Sequence, residues 1–201
     1  MTEKPMRCEL VTWAQVYRLS RRLAGMIRTA GFQPDVIVAV ARGGYVPARL
    51  LCDFLGIYDL LSIRVAHYEA GAHMAPQARL TSPLSADLSG LKVLLVDDVN
   101  DTGDTLSLAI DHIKSLAPAQ LKVAVLHHKQ VSPVRPDFYA QKIVAWRWLI
   151  YPWAVFEDLR GLLDAMTPCP ASPQEASARL EAEYGIRAPR QTIEEIWAER
   201  S

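Results

Sequence analysis

VLLVDDVNDTGDTL, residues 93 to 106, begins as an apolar run, delivers two adjacent carboxylates, and turns through Thr102-Gly103-Asp104-Thr105 into an amphipathic segment. KVLLVDD (92–98) predicts a strand buried on both faces, as in the middle of a parallel sheet. Leu106, Ala109, Ile110 and Ile113 then recur at helical spacing. Ligands of open α/β sheets bind at the carboxyl edge of the strands. A helix start at that edge offers backbone N–H groups and the positive end of its dipole to an anion. Gly103 allows close approach, and the hydroxyls of Thr102 and Thr105 add donors. Asp97 and Asp98, just ahead of this cradle, can accept from sugar hydroxyls, so the pattern suits a sugar phosphate. Asp-Asp after a strand also occurs in response regulators and metal-dependent phosphatases, and Thr-Gly-Asp-Thr also serves as a plain helix cap. The full arrangement is more specific than either part.

Outward from this segment, strands alternate with helices. Thr12 and Gln15 have capping-box spacing, and Val16, Leu19, Leu23, Met26 and Ile27 follow on one helical face that Gly31 and Pro34 close. DVIVAVA (35–41) predicts a second buried strand, Gly43-Gly44 a turn, and Val46–Phe54 a helix. LLSIRVAH (60–67), LKVAVLHH (121–128) and QKIVAWRW (141–148) predict further strands, whereas Tyr68–Ser89 has no sustained period and is expected to be a long loop. The expected fold class is α/β, a parallel twisted sheet flanked by helices with right-handed crossovers.

Bulk properties exclude more than they identify. With 201 residues, half of them hydrophobic and 22% charged, the chain is expected to fold as one domain with an appendage. Twenty-two basic residues balance twenty-two acidic ones, which argues against a globally basic nucleic-acid binder. Cys8, Cys52 and Cys169 form neither a disulfide framework nor a zinc-ligand pattern. MTEKPMRCEL lacks the apolar core of a signal peptide, and Trp148–Phe156, interrupted by Pro152, is too short to span a bilayer. A cytoplasmic location without membrane partners is expected. From Pro168 the composition shifts to a linker-like PCPASP and to helical segments over Gln174–Tyr184 and Gln191–Arg200. Residues 171–201 hold six acids and four arginines, too acidic for a nucleic-acid-binding tail. The expected division is a domain over 1–167 and an extension over 168–201.

The 93–106 segment resembles the signature by which type I phosphoribosyltransferases bind 5-phosphoribosyl-1-pyrophosphate (PRPP). That resemblance implies a Rossmann-like sheet with a small hood. It assigns Asp97 and Asp98 to the ribose hydroxyls and, partly indirectly, to Mg2+, with Asp101, Thr102, Gly103, Asp104 and Thr105 forming the 5′-phosphate loop. Asp101 is also implied as the acid that handles the proton on the purine ring. VAVARGGYVPARLLCDFLGI (38–57) is similar to the family's pyrophosphate loop, with Arg42, Gly43 and Gly44 facing the leaving group. Arg suits that task because its fork binds phosphate oxygens bidentately. Taken alone, Gly-Gly would mark an ordinary turn.

Lys129 stands where purine members place the lysine that donates to the exocyclic 6-oxygen, although a strand-end lysine is usually solvated surface. Trp148 and Leu149, within WLIYPW (148–153), resemble the segment that stacks on the purine and reads its 2-position; the rival reading is plain core. Tyr68 and Arg79 fall in the stretch matching the family's mobile loop, Tyr68–Ser85. The activity implied is transfer of phosphoribose from PRPP to a 6-oxopurine by a homodimer or homotetramer. The alternatives are a nucleotide-sensing regulator of the same fold and an enzyme for another base. Ala154-Val155 stands where purine members carry an acid for a second metal, with Glu157 and Asp158 a few residues later. Ile150 replaces an acid of the xanthine-guanine enzymes. His127 and His128 lie on opposite faces of a strand and are read as strand-end residues rather than metal ligands.

Overall fold

The computed structural model describes residues 6–68 and 77–199, which form two compact units. The larger spans Val16–Val144, and the smaller joins residues 6–15 to 145–199.

The larger unit is built on β2 (Val36–Ala41), β3 (Leu60–Tyr68), β4 (Gln77–Ser82), β5 (Lys92–Asn100), β6 (Gln120–Lys129) and β7 (Phe138–Ile143). They form one sheet in the order β4-β3-β2-β5-β6-β7, parallel throughout except for the antiparallel β3–β4 pair. All six residues of β2 are buried, as expected of a central strand covered on both faces. Alternation sends Val36, Val38, Val40, Val93, Leu95, Val123 and Val125 into one core with Leu106, Ala109 and Ile113 of α3 (Asp104–Ser115). α2 (Tyr45–Leu55) contacts β2, β3 and β5. α1 (Trp13–Thr29) buries Val16, Leu19, Leu23, Ala24 and Ile27 along one stripe. Its start is a capping box: the Thr12 N–H donates to Gln15 Oε1 at 2.7 Å and the Gln15 N–H to Thr12 Oγ1 at 3.2 Å. Past its end, Gly31 adopts φ +69°, and the Phe32 N–H returns to the Ile27 carbonyl at 3.2 Å.

In the smaller unit β1 (Cys8–Leu10) pairs in parallel with β8 (Trp148–Ile150). Cys8 and Ile150 share a core with Leu159, Leu162 and Leu163 of α4 (Val155–Ala165). Ala176 of α5 (Pro173–Arg179), Leu180 of the following π turn (Leu180–Tyr184), and Ile193 and Ile196 of α6 (Arg190–Ala198) complete it. Residues 145–167 and the C-terminal helices therefore pack as one body, and the compact units divide the chain elsewhere than at residue 168. α5 has Ser172 as its N-cap, accepting from the Glu175 N–H at 3.2 Å, with Pro173 at the first helical position.

Two expectations are corrected. QKIVAWRW (141–148) is not one strand: β7 starts earlier, at Phe138, and ends at Ile143, while Trp148 opens β8 in the other unit. Tyr68–Ser89 is not a continuous irregular loop, because Gln77–Ser82 pairs antiparallel with β3, placing Arg79 opposite Ala66. Within the expected mobile cover, Tyr68–Ser85, residues 69–76 lie outside the described residues. No helix among the described residues is long and apolar enough to cross a membrane. Cys8 and Cys52 are buried and Cys169 is exposed.

Candidate active site

The order of strands reverses around β2, which is followed in the chain by β3 on one side and flanked by β5 on the other. A crevice for ligands arises at the carboxyl edge of such a switch point. The turn after β2 and the loop after β5 meet there. Across the Ala41–Arg42 peptide, which is cis, the chain enters Arg42-Gly43-Gly44 and then α2. Neither glycine has room for a side chain. A Cβ on Gly43 would stand 2.3 Å from Asp98 Oδ2, and one on Gly44 would stand 2.4 Å from the Val96 carbonyl oxygen. Arg42 is exposed beside them.

β5 supplies the acid pair. Asp97 is buried, and burial together with the neighbouring Asp98 charge pushes its carboxyl well above the ordinary range. The Asp98 N–H donates to Asp97 Oδ1 at 2.9 Å, and the Val99 N–H to Asp98 Oδ1 at 2.7 Å. Two adjacent carboxylates, one of them costly to ionise, form a donor set that fits a cation or sugar hydroxyls. Among the described residues no three His, Cys, Asp or Glu side chains gather as a metal cage.

The chain then turns through Asp101, Thr102 and Gly103 into α3. Gly103 has φ +97° and caps the helix without a side-chain bond, while the Ser107 N–H donates to its carbonyl at 2.8 Å. The Thr102 hydroxyl donates to Asp104 Oδ2 at 2.9 Å, so in this state it serves the loop itself. Thr105 lies in the first turn of α3.

β6, the next strand of the sheet, ends at Lys129, which is buried rather than solvated. Its Nζ donates to Asp101 Oδ2 at 2.5 Å. The structure thus brings Arg42–Gly44, Asp97, Asp98, Asp101–Thr105 and Lys129 to one edge of one sheet. His127 is buried, and desolvation holds its pKa down to about 4. His128 is also buried, its ring 5.2 Å from that of Tyr139.

Trp148 and Leu149 belong to β8, in the smaller unit. Trp148 is 39% exposed, and its indole N–H donates to Asp158 Oδ1 at 3.1 Å, which places the late acid of α4 on the aromatic side chain. Leu149 is buried, and Ile150 lies fully inside the core of that unit. Tyr68 ends β3; Arg79 is exposed on β4. Sequence reasoning missed Asn100, which bonds His128, and Ser132 and Val134, which bond Asn100 and pack on Gly103. The available signal was an amide at the end of a strand whose burial leaves no room for an unpaired polar group.

This geometry agrees with comparisons to known proteins. Residues 8–157 match the model of the phosphoribosyl transferase domain. The xanthine-guanine phosphoribosyltransferase of Ruegeria sp. (strain TM1040) is 32% identical over 154 residues, covering 71% of this chain and 83% of that protein. A purine phosphoribosyltransferase structure from Pyrococcus horikoshii Ot3 superposes with a TM-score of 0.65 at 38% identity, covering 74% of this chain and 94% of that one. A Neisseria gonorrhoeae protein solved with bound ppGpp gives a TM-score of 0.67 at 26% identity, with 75% of this chain and 91% of that one covered. The family model spans three quarters of the chain, from β1 to the start of α4, and the chain belongs to the phosphoribosyl transferase domain family.

Proposed function

We propose that this protein transfers the phosphoribosyl group of PRPP to a 6-oxopurine, giving a nucleoside 5′-monophosphate and pyrophosphate. The observation that carries the reading is the Lys129–Asp101 pair, 2.5 Å apart, three residues beyond Asp98 at the entry to the phosphate turn. A buried ammonium beside a carboxylate offers a donor to a 6-oxygen and an acceptor to a ring N–H. Its likeness to xanthine-guanine and purine phosphoribosyltransferases supports the same base class.

Loss of pyrophosphate leaves positive charge on the ribose, so the site must neutralise the leaving group and hold both reactants in line. Arg42 and the amides around Gly43 and Gly44 face the pyrophosphate. Asp97 and Asp98 orient the ribose through its hydroxyls. The first turn of α3 holds the 5′-phosphate on backbone N–H groups. Asp101 accepts or orients the proton of the base, and Lys129 fixes its 6-oxygen. Trp148 supplies an aromatic face for stacking, and Leu149 adds apolar lining and main-chain groups. Asp97 and Asp98 would hold Mg2+, which would supply neutralisation of the negative charge on the leaving pyrophosphate. Tyr68 and Arg79 are assigned to the cover of the reactants, and the assembly is assigned as a homodimer or homotetramer. A cytoplasmic enzyme fits this chemistry.

A second reading, a nucleotide-responsive regulator on the same fold, draws on the ppGpp-bound neighbour. Asp101→Ala separates the two. The enzyme reading expects turnover of guanine, xanthine or hypoxanthine to fall at least a hundredfold, with PRPP affinity by calorimetry within threefold of wild type. Unchanged turnover removes Asp101 from the mechanism.

A further inference from the structure

Three hydrogen bonds converge on the amide of Asn100, which lies outside the acid pair, the phosphate turn and Lys129. Asn100 ends β5 with 1% of its surface exposed. Its Nδ2 donates to the Val134 carbonyl at 2.6 Å and reaches His128 Nδ1 at 3.0 Å, while its Oδ1 accepts from the Ser132 hydroxyl at 2.9 Å. A carbonyl only accepts, so the Val134 oxygen fixes which end of the amide faces it. His128 Nδ1 must then be the bare ring nitrogen. Burial and the positive charges of Lys142 and Arg135 lower the His128 pKa, which keeps it so.

Ser132 and Val134 lie on the turn that follows Lys129, where the Ser132 N–H donates to the Lys129 carbonyl at 3.1 Å. The same two residues back the phosphate turn. A Cβ on Gly103 would stand 2.7 Å from Ser132 Oγ and 2.8 Å from Val134 Cγ2. Asn100 is the neighbour of Asp101 along the chain, and His128 is the neighbour of Lys129. Its bonds therefore tie together the two backbones that carry the ion pair.

We infer that Asn100 is a positioning residue, clamping the 129–134 turn to the end of β5 and so holding Lys129 against Asp101 where the base is read. The inference rests on the purine reading of that pair. The phosphate turn keeps bonds of its own, Ser107 N–H to Gly103 at 2.8 Å and Thr102 to Asp104 at 2.9 Å. Loss of the clamp thus acts on the base side and spares the PRPP side.

The test uses the full chain with Asn100→Ala and Ser132→Ala. For Asn100→Ala, kcat/KM for the preferred 6-oxopurine falls at least tenfold while the KM for PRPP stays within threefold. Its preference over adenine shrinks, since a displaced Lys129 no longer selects a 6-oxygen. Ser132→Ala gives a smaller change in the same direction, about threefold, and carries the kinetic test should Asn100→Ala not fold. Equal losses for both substrates, or none, overturn the inference. Crystal structures of the wild type and the folded variants supply a readout independent of activity. The Lys129–Asp101 separation widens beyond 4 Å without the clamp, and an unmoved pair overturns the inference. A wild type that turns over no purine removes the functional reading alone, because the crystallographic comparison still decides the role of Asn100.

Discussion

Gly43 and Asp98 occupy one space: the carboxylate of Asp98 lies 2.3 Å from where a Cβ on Gly43 would stand. The Arg42–Gly44 turn and the Asp98 carboxylate, proposed to face pyrophosphate and ribose, are consequently built against each other. Gly43→Ala drives the Asp98 side chain out of place. The expected result is at least a tenfold loss of PRPP-dependent turnover with a stability cost of about 1 kcal/mol, because a side chain can rotate away. Gly44→Ala meets backbone instead, the Val96 and Val40 carbonyl oxygens at 2.4 and 2.7 Å. Backbone yields less, so Gly44→Ala costs about 3 kcal/mol. Urea unfolding of the two variants checks the order. A Gly44→Ala protein as stable as wild type contradicts the close approach.

The Lys129–Asp101 pair is asymmetric, with 3% of the lysine side chain exposed and 30% of the aspartate. Asp101→Ala takes the carboxylate from a buried ammonium and is expected to cost about 3 kcal/mol. Lys129→Met leaves a carboxylate that water reaches and costs about 1 kcal/mol, although it weakens base binding as strongly. Denaturant titration of both variants measures this difference, and equal costs contradict the assigned burial.

His127 predicts an acid-side weakness. Its pKa falls from 6.5 to about 4 on folding, chiefly through burial. Between those values the unfolded chain binds a proton that the native state excludes, so stability declines as pH falls through that window. The full effect of His127 is on the order of 3 kcal/mol. Asp97 acts in the opposite sense, since its raised pKa lets the native state take up a proton first. Comparing wild type with His127→Gln between about pH 7.5 and 4.5 cancels Asp97 and the other shared groups. The wild type should lose stability relative to the variant on acidification. A difference independent of pH contradicts a buried neutral imidazole.

Trp148 is predicted to act on the base alone. Trp148→Leu should raise the KM for the purine at least tenfold, leave the KM for PRPP within twofold, and change the melting temperature little, since the residue is 39% exposed. A large fall in melting temperature with unchanged kinetics would return the residue to a packing role.

Much of this was legible in the sequence because the informative segments are local. DVIVAVA and KVLLVDD are continuous buried strands, and their order with the intervening helices gives a parallel sheet whose carboxyl edge carries Arg42, Asp97 and Asp98. The Thr12–Gln15 capping box is equally local. β1 and β8 were not legible, since each is three residues long and their pairing joins Cys8 to Trp148. A strand that short has no usable period, and the apolar run through Val144 and Trp146 imitates a continuation of β7. β4 escaped because QARLTS is short and polar, and its strand state comes from pairing with β3. The Asn100 network joins the end of β5 to His128 on β6 and to Ser132 and Val134 on the following turn, which no spacing rule connects.

The most direct test is turnover of PRPP and Mg2+ with hypoxanthine, guanine, xanthine, adenine, uracil and orotate, following nucleotide and pyrophosphate together. The account predicts a nucleoside monophosphate from at least one 6-oxopurine, one pyrophosphate released for each, and poor use of adenine, uracil and orotate. Tight PRPP binding with no nucleotide from any base, or a preference for uracil or orotate, would contradict it.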